Sequence, residues 1–421
     1  MKDGALKAAT FLAGMVIAAG MLIGLSPMGG RAQSPPATKQ LPYVYTNWKH
    51  FTTKDGLPDD HIMSVKVDGD RVWVGTEGGL ACINKRTGEI RKWTEEDGLP
   101  WRVITGIDVN PKTGEVWLGL FGGGLARFAG GRFDHWHQLN SGLVNDVVYG
   151  VVIENDNVWT ATTAGASRYN TITGEWTIYT EKNSPMEEIW NYGISYADGK
   201  VFIAIWGSGV LEFDVATERW REHVDPDGEM EIDLYRDDGM VHVISTGVSY
   251  VDKVLWASTY FGTCRYDGRH WRGFYKQEGG PPSDFTNNVK ARSANEAYYF
   301  TDQGLSVMAD FPSDTWVVYT RDPKTGRGVA EVKRGHEVLE RVEMDLTLPN
   351  RFTINGDVDA KDIWIGTSKG LAWGIGPDYY AGLRERAVHP VYLANSQQPP
   401  ASKAQATPKV RGAGAVARLK R

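Results

Sequence analysis

The stretch Val72-Trp73-Val74-Gly75-Thr76-Glu77-Gly78-Gly79-Leu80 decides the fold, because it recurs down the chain. The copies read Val116-Trp117-Leu118-Gly119, Val158-Trp159-Thr160-Ala161, Val201-Phe202-Ile203-Ala204, Leu255-Trp256-Ala257-Ser258, Ala297-Tyr298-Tyr299-Phe300 and Ile363-Trp364-Ile365-Gly366-Thr367. Their aromatic residues step by 44, 42, 43, 54, 42 and 66 positions. A period in the low forties accommodates four short strands, the unit of a propeller blade. Each copy is a short apolar run rich in β-branched and aromatic residues, the composition of a strand buried on both faces. Seven copies predict an all-β, seven-bladed β-propeller with four-stranded blades.

A second aromatic series, Trp48, Trp93, Trp136, Trp176, Trp220, Trp271 and Trp316, precedes seven turns. Phe51-Thr52-Thr53-Lys54-Asp55-Gly56-Leu57-Pro58 matches Trp93-Thr94-Glu95-Glu96-Asp97-Gly98-Leu99-Pro100 at a spacing of 42. One unit therefore reads as strand a (62–67), strand b (72–76), strand c (79–84) and strand d (89–94). Trp48 comes before any strand b, and no such Trp follows the last strand b at Trp364. The N-terminal segment around 43–52 is thus expected to supply the outer strand of blade seven, which removes the open edge of a linear array. The two long steps imply inserts near 225–246 and 321–349, both in d-to-a connections. The alternation around Arg334-Gly335-His336 predicts a protruding hairpin in the second.

Residues 1–33 read as an export signal, with Lys2 and Lys7 before an apolar run over 8–25 and a small-residue cleavage site after Ala32. The competing reading is an uncleaved inner-membrane anchor formed by 8–25. The localisation expected is periplasmic or secreted. A linker over 34–42 leads into a propeller over 43–376, and 377–421 reads as a disordered basic tail, with eight Lys/Arg against two acids from Asp378 onward. The formal charge of −6 gives no reason to expect nucleic acid. Cys82 and Cys264 fall in blades one and five, too far apart for a disulfide, so two free thiols are expected.

The phrases Asp-Gly-Leu-Pro before a strand and Val-Trp-Val-Gly-Thr-x-Gly-Gly-Leu resemble the two-component regulator propeller repeat. The resemblance covers 43–376 and is most specific in copies one, two and seven. It implies a seven-bladed propeller like those in the extracytoplasmic sensor portions of bacterial hybrid kinases. This chain carries one propeller, with no second span and no kinase or receiver module after it, so signalling output does not follow from the likeness. A recognition role does.

No cofactor or metal site is expected. There is no Cys-x-x-Cys-His, no His-Glu-x-x-His, no Walker-type loop and no Gly-x-Ser-x-Gly. His135 and His137 share a strand face, but two histidines fall short of the three or four ligands a stable site wants. Strand alternation puts the d-to-a loops and the b-to-c turns on the same side of the disc. Twelve of the 16 tryptophans belong to strands b or d and read as packing. Trp101, Trp190 and Trp206 instead fall in the loops of this side, with Phe121 and Tyr260 at turn positions similar to Trp206. Arg102, Asp60 and Asp146 are the polar candidates beside them. Aromatics and Arg on loops of a rigid scaffold point to recognition of a protein partner in the cell envelope or of a small ligand. Two other roles compete: a propeller enzyme of lyase or lactonase type, with His61 as general base beside Asp60 or Asp146, and a structural subunit of an envelope complex, docked electrostatically by its basic tail.

Overall fold

The computed structural model describes residues 41–225 and 239–376. The expected export segment, most of the linker, the middle of the first insert and the basic tail lie outside the described residues. The chain divides between Leu41 and Pro42, and every blade belongs to the second unit.

Seven antiparallel sheets each open on an inner strand a: Ile62–Asp68, Ile104–Val109, Val148–Glu154, Asn191–Ala197, Ser245–Val251, Thr286–Ser293 and Thr353–Val358. Successive inner strands lie against each other right round the circle, and the last meets the first. The sheets are therefore the blades of a closed seven-bladed propeller. Glycine permits the tight inner ring: a Cβ on Gly106 would come within 3.0 Å of Gly150 Cα, and one on Gly193 within 3.0 Å of Gly247 Cα.

Closure comes from the N-terminus, as the tryptophan count predicts. Asn47–Phe51 pairs antiparallel with Gly370–Ile375 and becomes the outer strand of blade seven. The residue that fastens it is Tyr45. Its N–H donates to Tyr319 Oη at 2.9 Å and its hydroxyl donates to the Lys361 carbonyl at 2.7 Å. The buried Arg292 guanidinium lies 3.3 Å from that hydroxyl and 3.0 Å from Glu296 Oε1.

The recurring strand-b aromatic explains the packing between blades. Trp117, Trp159, Trp256 and Trp364 are fully buried. Trp117 stacks on Trp136 of strand d at 5.1 Å, and Arg127, directly opposite it on strand c, lies over its ring at 5.8 Å. The same Arg-over-Trp pairing recurs with Arg168 on Trp159 and Arg265 on Trp256. The repeated Thr-x-x-Asp-Gly-Leu phrase folds as a 3-10 turn in which Thr52 and Asp55 cap each other, and Thr94 and Asp97 do the same. Leu57 and Leu99 then plug into the core.

One equivalent position on the seven inner strands holds Lys66, Asp108, Val152, Ser195, Ser249, Lys290 and Asp357. Lys66 pairs with Asp108 at 2.7 Å and Lys290 with Asp357 at 3.0 Å. Asp108 also accepts the Ile153 N–H at 2.8 Å, and Asp357 the Val67 N–H at 2.9 Å. These side chains stitch together the inner strands of blades six, seven, one, two and three.

The second insert differs from expectation. A hairpin forms, from Gly328–Arg334 and Glu337–Met344, but it does not protrude. It pairs on the outer strand Thr315–Arg321 and enlarges blade six to six strands. Val329, Ala330, Val332 and Met344 give it a buried face that a free-standing hairpin would expose to water.

Candidate functional site

Hydrogen bonds join the d-to-a loops to the b-to-c turns around one side of the disc. In six blades the loop residue just before strand a offers its carbonyl to the first turn residue after strand b: His61 to Glu77, Val103 to Phe121, Val147 to Thr163, Trp190 to Trp206, Ile244 to Tyr260 and Phe352 to Ser368. In five blades the last residue of strand b is a threonine whose Oγ1 donates across the turn: Thr76, Thr162, Thr259, Thr301 and Thr367. Blades two and four have Leu120 and Ile205 there instead. Their turns, Phe121-Gly122-Gly123-Gly124 and Trp206-Gly207-Ser208-Gly209, lack this threonine bond and are tied to the next d-to-a loop through their backbone N–H groups. Gly122 and Gly124 donate to the Asp146 carbonyl, and Gly207 and Gly209 to that of Val243. Gly122 and Gly207 both sit at φ 93°, in the left-handed region.

Exposed aromatics gather on these two irregular turns. Trp101 lies over Gly122 and Gly123, and its indole N–H donates to the Phe121 carbonyl at 2.7 Å. Trp190 stacks on Trp206 at 5.9 Å and on Tyr192 at 5.7 Å. The rings then form an unbroken series from blade two to the edge of blade six. Phe121 meets Tyr149 at 5.5 Å, Tyr149 meets Tyr192 at 4.6 Å, and Tyr192 meets Trp206 at 5.5 Å. Trp206 meets Tyr260 at 4.8 Å, and Tyr260 meets Phe285 at 4.3 Å. These separations are those of rings in mutual contact, so neighbouring rings leave no gap between them. Trp101, Phe121 and Trp190 remain 40%, 42% and 41% exposed. Of the eleven exposed large apolar side chains among the described residues, seven (Trp101, Phe121, Leu139, Trp190, Phe261, Leu346 and Phe352) belong to these loops and turns.

Tyr149, Tyr192, Phe285 and Phe261 were not among the expected site residues. Tyr149 and Tyr192 stand at β-bulges, where each inner strand slips register by one residue near its start. The sequence signal is an aromatic directly before glycine in strand a, Tyr149-Gly150 and Tyr192-Gly193, repeated 43 residues apart. Burial, then the neighbouring Tyr149, raises the pKa of Tyr192 and Tyr260, which keeps both phenols protonated near neutral pH.

The polar candidates divide. Arg102 is exposed beside Trp101. Asp60 and Asp146 brace their own loops: Asp60 accepts the Thr53 N–H at 2.6 Å and Asp146 the Gln138 N–H at 2.7 Å. Asp284 repeats this with Lys276 at 2.6 Å. His61 faces neither Asp60 nor Asp146. Its Nδ1 lies 2.7 Å from Glu77 Oε1, on the b-to-c turn of its own blade. The carboxylate expected to orient His61 is therefore replaced by Glu77, because the two aspartates are held by backbone amides. Glu187 and Glu188 are exposed beside Trp190. His135 and His137 are engaged locally, His135 Nε2 with the Gly123 carbonyl and His137 Nδ1 with the Leu139 N–H.

No family model and no curated protein matches the sequence. Solved structures do match it. The extracellular domain of what is described as a hybrid two-component system, BT3049 from B. thetaiotaomicron, superposes with a TM-score of 0.59 at 14% identity, over 79% of this chain and 42% of that one. A second such domain, BT4673, gives 0.57 at 12% identity, over 78% and 40%. The likeness is one of fold. Virginiamycin B lyase from Staphylococcus aureus shares it as well, with a TM-score of 0.52 at 11% identity over 78% of this chain and 98% of the lyase. The chain thus spans less than half the length of the two sensor domains and nearly the whole length of the lyase.

Proposed function

We propose that the protein is an exported recognition module of the two-component regulator propeller type. It holds a protein partner or a small ligand on the side formed by the d-to-a loops and b-to-c turns. One observation carries this reading. The contiguous ring series from Phe121 to Phe285 is flanked by two exposed tryptophans, Trp101 and Trp190, which pack on the two turns whose construction departs from the other five. Large rigid aromatics exposed on a preformed scaffold supply contact area with little ordering cost. Export is supported by the charged and apolar pattern of 1–33 and by the fold shared with extracellular domains.

The test replaces Trp101, Trp190 and Trp206 together by Ala. The variant is expected to stay folded, since these side chains sit outside the blade core, and to lose at least tenfold in affinity for whatever the wild type retains from its native envelope, on the scale of aromatic hot spots. Undiminished retention by a folded triple variant overturns the proposal. Catalysis is the weaker alternative. His61 and Glu77 offer one general-base pair, with no group of three or more metal-ligating side chains among the described residues. His61→Ala is expected to leave binding at the aromatic side unchanged.

A further inference from the structure

Five of the seven d-to-a loops end in the same small device. The residue three places before strand a turns its side chain back to accept the backbone N–H two residues on. Asp59 does this for His61 at 2.7 Å, Asn145 for Val147 at 2.7 Å, Ser283 for Phe285 at 3.1 Å and Asn350 for Phe352 at 3.3 Å. In the loop before blade five the acceptor is a histidine: the Ile244 N–H donates to His242 Nδ1 at 3.0 Å. Four loops thus use an acceptor that is fixed near neutral pH, and one uses a ring nitrogen that can be titrated.

The loop it braces is the one that holds the centre of the aromatic surface. The Val243 carbonyl accepts Gly207 N–H at 3.1 Å and Gly209 N–H at 2.9 Å, and the Ile244 carbonyl accepts Tyr260 N–H at 3.3 Å. Trp206 and Ile244 form a β-bridge. His242 itself is buried, with Phe261 across its ring at 4.3 Å. Nδ1 serves as an acceptor only while the ring is neutral with its proton on Nε2.

We propose that His242 is a pH-operated brace of the recognition surface: protonation of Nδ1 turns the acceptor into a second donor facing the Ile244 N–H and releases the loop that positions Trp206 and Tyr260. The inference rests on the reading of that surface as the binding site and adds its regulation. Among the described residues, the ionisable groups on the elements packed around the loop are Glu188, Tyr260, Cys264, Tyr275, Asp284 and, at its base, Asp225 and His223. None of them offsets the cost of charging the ring, whose pKa is lowered from 6.5 by burial. The open loop therefore takes up the proton more readily than the closed one. The closed form holds its full advantage above pH 6.5 and loses it progressively below.

The test is amide hydrogen exchange at Gly207, Gly209 and Tyr260 in the free full-length protein, at pH 7.5 and pH 5.0, corrected for the intrinsic pH dependence of exchange. Wild type is expected to lose about tenfold in protection at these amides on acidification, the effect of about one hydrogen bond. His242→Asn supplies the acceptor that Asn145 and Asn350 already provide elsewhere, and should hold its protection at both values. His242→Ala should be loose at both. Equal loss of protection in wild type and His242→Asn, or none in wild type, overturns the proposal. Since no ligand enters the measurement, a surface that binds nothing would leave this result unchanged, and the two claims fail separately.

Discussion

Glu212 shows how far one buried side chain can bind a blade together. It accepts from His223 Nε2 at 2.9 Å and from Lys200, within blade four. Burial alone would raise its pKa, but the hydrogen bonds from His223 and Lys200 outweigh burial and hold it down at about 2. A carboxyl lowered from 4.5 to about 2 contributes stability above pH 4.5 that is lost as pH falls towards 2. Glu212→Gln should accordingly lower stability at pH 7 by on the order of 3 kcal/mol. It should also flatten the acid limb of a chemical-denaturation profile between pH 4.5 and 2, whereas an acid limb unchanged by the substitution would show that the pairing contributes nothing. Trp159 tests the packing at the same scale. Trp159→Ala should cost about 3–5 kcal/mol in urea unfolding, because it empties a fully buried site between Tyr179 and Phe213.

At the scale of elements, the repeat was legible because each strand b needs an aromatic that fills the space between two blades and each turn needs its own small residues. The site was only half legible. Trp101, Trp190, Trp206, Phe121 and Tyr260 could be placed by topology. Tyr149 and Tyr192 could not, since a bulge re-aims a side chain without changing the hydrophobic period. His61 found Glu77 because the loop backbone already engages Asp60 and Asp146, through the N–H groups of Thr53 and Gln138. The hairpin at 328–344 was read from its alternation, but its docking was not, because alternation gives a strand an apolar face without naming the sheet it joins. Replacing the hairpin with a short turn would expose Val317 and Tyr319 on the outer edge of blade six. The expected result is a lower Tm and a tendency to self-associate, with binding at the aromatic surface retained.

For the whole molecule, closure by Asn47–Phe51 turns seven sheets into one ring, and Tyr45 holds that strand to blades six and seven. Tyr45→Phe removes the hydroxyl shared by Lys361 and Arg292 and should lower stability by about 1–3 kcal/mol, read from urea unfolding. In the proposed function the closed ring also serves recognition, since it sets the aromatic side chains in place before a partner arrives. The measurement that tests this most directly is a hydrogen-exchange footprint of the protein alone and with the molecule it retains from its native envelope. New protection is expected in the segments around Trp101, Phe121, Trp190, Trp206 and Tyr260, with the a-to-b and c-to-d turns unchanged. Protection confined to those opposite turns, or to the 328–344 hairpin, would contradict it.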